Sequence, residues 1–284
     1  FSANTNPFGT PPGVLEAVSR ALPDMHRYPD PYCRRLVEKI AAFEGVNRDD
    51  ILCGNGAAEL IYAYCGAVRP KTALEPAPTF SEYALGLAQV GCRVKPYYLT
   101  PDRDFALDSH FPDYLTEILP EAVFLCNPNN PTGMLIHPAV LKDILDVCRE
   151  NRIRLFVDEC FLDLSDDGQS MKGYLAEYPN LFILKAFTKS YGMAGIRLGY
   201  CLCSDRELLK AMSRTVQPWN VSGLAQAAGL AALDEGDFLA KTKALIQTER
   251  PWLKEKLEAF GFRVFPSQVN YLLFQGPQTL HRDL

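Results

Sequence analysis

Two kinds of apolar pattern alternate along the chain. Short, almost continuous runs at 51–53, 71–75, 92–99, 122–126, 153–159, 181–184 and just after Arg197 have the length of strands, and their continuity suits strands buried on both faces. Between them, apolar residues recur every three or four positions. The stripe Leu36, Val37, Ile40, Ala41 and Phe43 is one such helical face, and 12–22, the stretch from about Ala57, 114–119, 140–150, 205–214 and 238–260 read the same way. Gly261 stops the last of these, and short strands at 262–265 and 270–274 are expected to begin a second sheet. Periodicity alone supports a mixed α/β protein without internal repeats.

The chemistry-bearing residues cluster where predicted strands end. Open α/β sheets bind ligands beyond the carboxyl ends of their strands, and Lys189 follows the run 181–184 in LFILKAFTKSYGMAGIRLGY. Its amine therefore lies where chemistry is usually done, and Arg197 follows eight residues on, beyond Gly192 and Gly195. Asp158 ends the strand IRLFVDE, while its neighbour Glu159 points to the opposite face. The run NPNNPTG after 122–126 presents Asn127, Asn129 and Asn130 on a proline-fixed loop. Gly54 and Gly56 precede a helix whose first amides and positive end form a potential phosphate site, although glycine before a helix is common without any ligand.

Composition removes several alternatives. A formal charge of −5 with no basic block offers no field for nucleic acid, and no run of eighteen apolar residues suggests a membrane span. The Walker lysine and the full dinucleotide fingerprint are both missing. Nine scattered cysteines, odd in number and without paired spacing, predict buried thiols in a reducing cytoplasm rather than disulfides or a zinc site.

In order along the chain, GNGAA, Phe80 in PAPTF, NPNNPTG, Asp158 in VDE and the segment from Lys189 to Arg197 resemble the fold type I pyridoxal-phosphate enzymes, the aspartate aminotransferase superfamily. The resemblance covers nearly the whole chain and implies a large domain built on a mostly parallel central sheet flanked by helices, with a smaller α/β domain. It implies an N-terminal segment 1–25, a cofactor domain 26–240, and an interdomain helix with the start of the small domain at 241–284. A further C-terminal stretch, carrying the arginine for a substrate carboxylate, would follow.

The same resemblance distributes roles. Lys189 would carry pyridoxal 5'-phosphate and shuttle protons, and Asp158 would face its ring nitrogen. Phe80 would lie on the ring, Asn130 would bond the phenolate oxygen, and Ala57, Ala58, Thr188 and Arg197 would hold the phosphate. Tyr28, in a Tyr-Pro motif, would reach the phosphate of a partner subunit, making the active unit a homodimer. Asn4, Asn6 and Tyr83 are substrate-side candidates. Phe161 stands where many histidinol-phosphate aminotransferases have a tyrosine, and Ala186 where a serine or threonine commonly touches phosphate. FSANTNPFG, DECFLDL and the Pro-Trp-Asn-Val segment look more like threonine-phosphate decarboxylases of cobalamin synthesis. Decarboxylation of L-threonine O-3-phosphate is therefore the expected reaction. A histidinol-phosphate-like amino transfer to 2-oxoglutarate and a noncatalytic cofactor-binding sensor are the alternatives.

Overall fold

The computed structural model describes residues 3–280. After α1 (Pro12–Ala21) and α2 (Arg34–Glu44), strand and helix alternate: β1 (Ile51–Gly54), α3 (Gly56–Val68), β2 (Thr72–Ala77), α4 (Glu82–Gln89) and β3 (Arg93–Tyr98). Next come α5 (Phe111–Ile118), β4 (Ala122–Cys126), α6 (Pro138–Glu150), β5 (Arg154–Asp158), β6 (Leu181–Ala186), the single turn α7 (Phe187–Ser190) and β7 (Gly199–Leu202). Helices α8 (Arg206–Ser213), α9 (Gly223–Ala232) and α10 (Phe238–Ala259) follow, then β8 (Arg263–Val264) and β9 (Phe274–Gln275).

Seven strands form one sheet in the order β1-β7-β6-β5-β4-β2-β3. Only β7 runs against its neighbours β1 and β6, while β6-β5-β4-β2-β3 are all parallel. Helices cover both faces, so alternate residues of one strand enter different cores. Val123, Leu125, Leu155, Val157, Leu181 and Ile183 join one cluster. Phe124, Phe156, Phe182 and Leu184 join the other.

The second set pins the register on which the site depends. Phe124, Phe156 and Phe182 are direct cross-strand partners. Their rings stack at 4.7 and 4.9 Å between centroids, with Tyr64 of α3 packed against all three. Aromatic pairs across a ladder resist slippage, because a one-residue shift would turn every ring into the other layer. Cys126 and Asp158 consequently lie level at the carboxyl ends of β4 and β5.

The small sheet departs from expectation. It pairs β8 with β9 at Arg263↔Gln275 and Val264↔Phe274, so the second strand begins at the end of the expected 270–274 run. The preceding residues turn instead: the Ser267 hydroxyl donates to the Tyr271 carbonyl at 2.6 Å, and the Asn270 amide donates to the Asn4 carbonyl at 3.1 Å. No helix among the described residues is long and apolar enough to cross a membrane. All nine cysteines are free, and Cys92 alone is not buried.

Candidate active site

A cavity of about 230 Å³ opens beyond the ends of β4, β5 and β6. Asp158, Lys189, Asn130 and Phe80 line it, as do Ala57, Ala58, Thr188 and Arg197. Asn4 and Tyr83 complete its wall together with Phe161 and Ala186. Residues separated by most of the chain thus meet at one sheet edge.

Asp158 forms the floor. One oxygen accepts the Cys160 N–H at 2.9 Å and the other the Tyr83 hydroxyl at 2.6 Å. Burial pushes its carboxyl up from the ordinary range, against the pull of those two donors. Among the described residues no cationic side chain forms an ion pair with it. A buried carboxylate in that condition suits a proton-bearing ring nitrogen brought in by a ligand.

Lys189 approaches from the end of α7, with its Nζ 5.4 Å from the centre of the Phe161 ring and donating to the Ala3 carbonyl. Burial holds its amine below the ordinary lysine range, and Arg197 adds to the effect. A larger share of unprotonated amine near neutral pH is what attack on an aldehyde requires.

At the other wall, α3 begins without a side-chain cap, whereas Asp205 and Ser222 cap α8 and α9. Its first amides therefore remain open to an anion. Gly56 has φ +81°, and a Cβ there would lie 2.4 Å from the Arg197 guanidinium. At Gly199 a Cβ would lie 2.6 Å from the Ala57 nitrogen. The two glycines let the guanidinium and the helix amides come together, a cradle of donors suited to phosphate oxygens.

The asparagine-rich loop separates by function. Asn127 accepts the Ile136 N–H at 2.8 Å. Asn129 receives the Thr79 hydroxyl and donates to the Pro78 carbonyl and Thr132 hydroxyl, so its side chain is consumed in holding the loop. The Asn130 side chain makes no hydrogen bond among the described residues and lines the cavity.

Two candidates lie elsewhere than expected. Tyr83, expected at the mouth, is fully buried beneath the cavity with its hydroxyl on Asp158. Its place three residues after Phe80 on the first turn of α4 was visible in the sequence, but its partner across the fold was not. Asn6 is also buried and turns from the cavity: its side chain donates to the Ser190 carbonyl and the Thr242 hydroxyl, both at 2.8 Å. Tyr28, expected to serve a partner's site rather than its own, is 80% exposed, with its ring 4.7 Å from that of Trp219. Phe161 packs edge-on against Tyr271 at 4.9 Å, and the Tyr271 hydroxyl donates to the Asn129 carbonyl at 2.9 Å.

An amine, a carboxylate without a cation, a free amide and an anion cradle converge here. This donor set fits a cofactor with an aldehyde, a basic ring nitrogen, a phenolate and a phosphate.

Comparison with known proteins gives the same picture. The family model for aminotransferase class I and II matches residues 1–282. Threonine-phosphate decarboxylase of Salmonella typhimurium is 34% identical over 283 residues, covering 97% of this chain and 76% of that protein. Histidinol-phosphate aminotransferase of Shouchella clausii is also 34% identical, over 281 residues, covering 97% and 74%. Among solved structures, histidinol-phosphate aminotransferase from Clostridium acetobutylicum superposes with a TM-score of 0.89 at 28% identity, covering 98% of this chain and 83% of that one. With a family model spanning nearly its full length and relatives above 30% identity, the chain belongs to the aminotransferase class I and II family and is a fold type I enzyme dependent on pyridoxal phosphate.

Proposed function

We propose that the protein transfers an amino group from a small phosphorylated amine of the histidinol-phosphate type to a 2-oxo acid. This reverses the preference for decarboxylation drawn from FSANTNPFG, DECFLDL and the Pro-Trp-Asn-Val segment. The observation that carries it is the superposition on a solved histidinol-phosphate aminotransferase, with a TM-score of 0.89 at 28% identity, since sequence identity is 34% to relatives of both kinds.

Pyridoxal phosphate supplies an electron sink that weakens bonds at the substrate carbon bearing the amine. The chain's own residues do the rest. Lys189 Nζ holds the aldehyde end and, once free, takes a proton from that carbon and returns one. Asp158 keeps the ring nitrogen protonated, and Asn130 bonds the phenolate. Phe80 packs on the ring, while Arg197, Thr188 and the amides of Ala57 and Ala58 grip the phosphate. Tyr28 reaches the phosphate of a second copy, in a homodimer. The N-terminal segment 1–25, the cofactor domain 26–240 and the 241–284 region, entered through α10, belong to the same proposal.

Threonine-phosphate decarboxylation is retained as a second reading because of Phe161, whose ring beside Lys189 lacks the hydroxyl that a tyrosine would offer the phenolate. The bond held perpendicular to the ring decides which of the two reactions occurs. Incubation of the full-length protein with histidinol phosphate and 2-oxoglutarate should yield glutamate. Carbon dioxide released from threonine phosphate with its amine retained would instead establish decarboxylation. A cofactor absorption band without turnover of either substrate would leave a cofactor-binding sensor.

A further inference from the structure

Little within α7 holds Lys189 in place: the turn is closed by the Tyr191 N–H on the Phe187 carbonyl at 3.0 Å. The helix is four residues long, and one isolated turn has no interior ladder of hydrogen bonds to resist fraying. Its restraint comes from outside. On one side the Asn6 N–H donates to the Lys189 carbonyl at 3.0 Å, and the Asn6 side chain donates to the Ser190 carbonyl. On the other side the hydroxyl of Ser190, a fully buried residue, donates to Asp163 Oδ2 at 3.1 Å.

Asp163 belongs to a charge cluster on the sheet face away from the cavity. Its Oδ1 lies 3.3 Å from Lys185 Nζ, which is 3.2 Å from Glu44 Oε1. Glu44 also accepts from Lys172 Nζ at 2.8 Å and from the Tyr200 hydroxyl. Burial alone would lower the Lys185 pKa, but Asp163, Glu44 and Glu159 outweigh it and hold the amine charged. Two lysines thus balance Glu44 and Asp163. Buried charges gain little net stability over apolar packing, and such a cluster suits the fixing of a geometry better than the strengthening of a fold. The hydrogen bond from Ser190 ties it to the turn bearing Lys189.

We propose that Asp163 is a positioning residue for Lys189: by accepting the Ser190 hydroxyl, it fastens the turn that carries the amine to the Lys185–Glu44–Lys172 cluster. The inference rests on the reading of Lys189 as the cofactor's lysine. Asp163 is not part of the cavity wall, so its influence on turnover passes through Ser190.

Ser190→Ala in the full-length protein removes the hydroxyl and leaves all four charges paired. With the cofactor bound, kcat should fall about tenfold, while KM for the amine and affinity for pyridoxal phosphate stay within about twofold. In the cofactor-free protein, amide exchange across 187–192 should accelerate about tenfold while β5 and β6 remain protected. Asp163→Ala should reproduce both changes if it folds; if it does not, Ser190→Ala decides. An unchanged kcat, an unchanged exchange rate, or acceleration spread through the whole sheet would each overturn the proposal. Borohydride fixing pyridoxyl mass to a lysine other than Lys189 would remove the underlying assignment instead, whatever the Ser190 variant does.

Discussion

Asp158 and Glu159 are adjacent, buried and carboxylic, yet they open onto two regions that treat charge in opposite ways. On the cavity side, among the described residues, Asp158 has a hydroxyl and an amide as donors but no cation, and the Asn130 side chain is unengaged. On the other side, Glu44, Lys185, Lys172 and Asp163 satisfy one another within hydrogen-bond distance. Polar groups left waiting mark the place a ligand fills, whereas polar groups that close on themselves mark a frame. The two regions share β5 and β6, so the frame and the site are two faces of the same strands.

Damage on the cavity side should accordingly abolish turnover and spare the fold. Lys189→Ala should lower activity by about 10³-fold or more, with thermal stability nearly unchanged and no pyridoxyl label at that position after borohydride reduction. Damage to the frame should do the reverse. Glu44→Ala leaves Lys185 short of a partner and should cost about 3–5 kcal/mol, read by denaturant unfolding.

The acid limb of stability carries the same signature. Burial would raise the Glu44 carboxyl, but Lys185, Lys172 and the Tyr200 hydroxyl outweigh it and depress it below the usual range. Its contribution is therefore present above the ordinary carboxylate pKa and lost as pH falls through the folded value. Unfolding measured against pH should show that acid loss in the native protein and lack it in Glu44→Ala.

A smaller effect tests the floor of the cavity. Tyr83→Phe deletes one donor to Asp158 and should reduce kcat about tenfold, with thermal stability little altered. Smallest of all is Glu159→Gln. Burial raises the Glu159 carboxyl to about 7, and its Oε2 has no hydrogen-bond partner among the described residues. The stability linked to it is complete below the unfolded carboxylate pKa and disappears as pH rises through about 7. The variant should thus melt roughly 2–4 °C higher than the native protein at pH 8.5, with no advantage at pH 4.

What the sequence disclosed follows from the range of each interaction. Lys189, Asp158 and Asn130 are legible because each follows an apolar run, and strand ends are where α/β sheets do chemistry. The stripe on α2 is equally plain. Its last residue, Glu44, is not: it is paired through the fold with Lys185 and Tyr200, and no local pattern announces a partner on another strand. Asn6 illustrates the same limit, since a turn-forming asparagine gives no sign that it will hold the α7 turn. The later start of β9 has one local and one distant cause: Ser267 bonds Tyr271 four residues on, while Asn270 bonds Asn4 across the fold, and together they draw an apolar stretch out of extended geometry.

The reversed strand β7 has one more consequence. Gly199 sits opposite Gly54 on one side and Ala186 on the other. The wall bearing the amine and the wall bearing the anion cradle are therefore strung on a single rung of the ladder. Two strand separations, each about 4.8 Å, set the span between them. The sheet acts as a gauge of length, and an aldehyde ring without its phosphate arm would reach the near wall and leave the far one empty-handed.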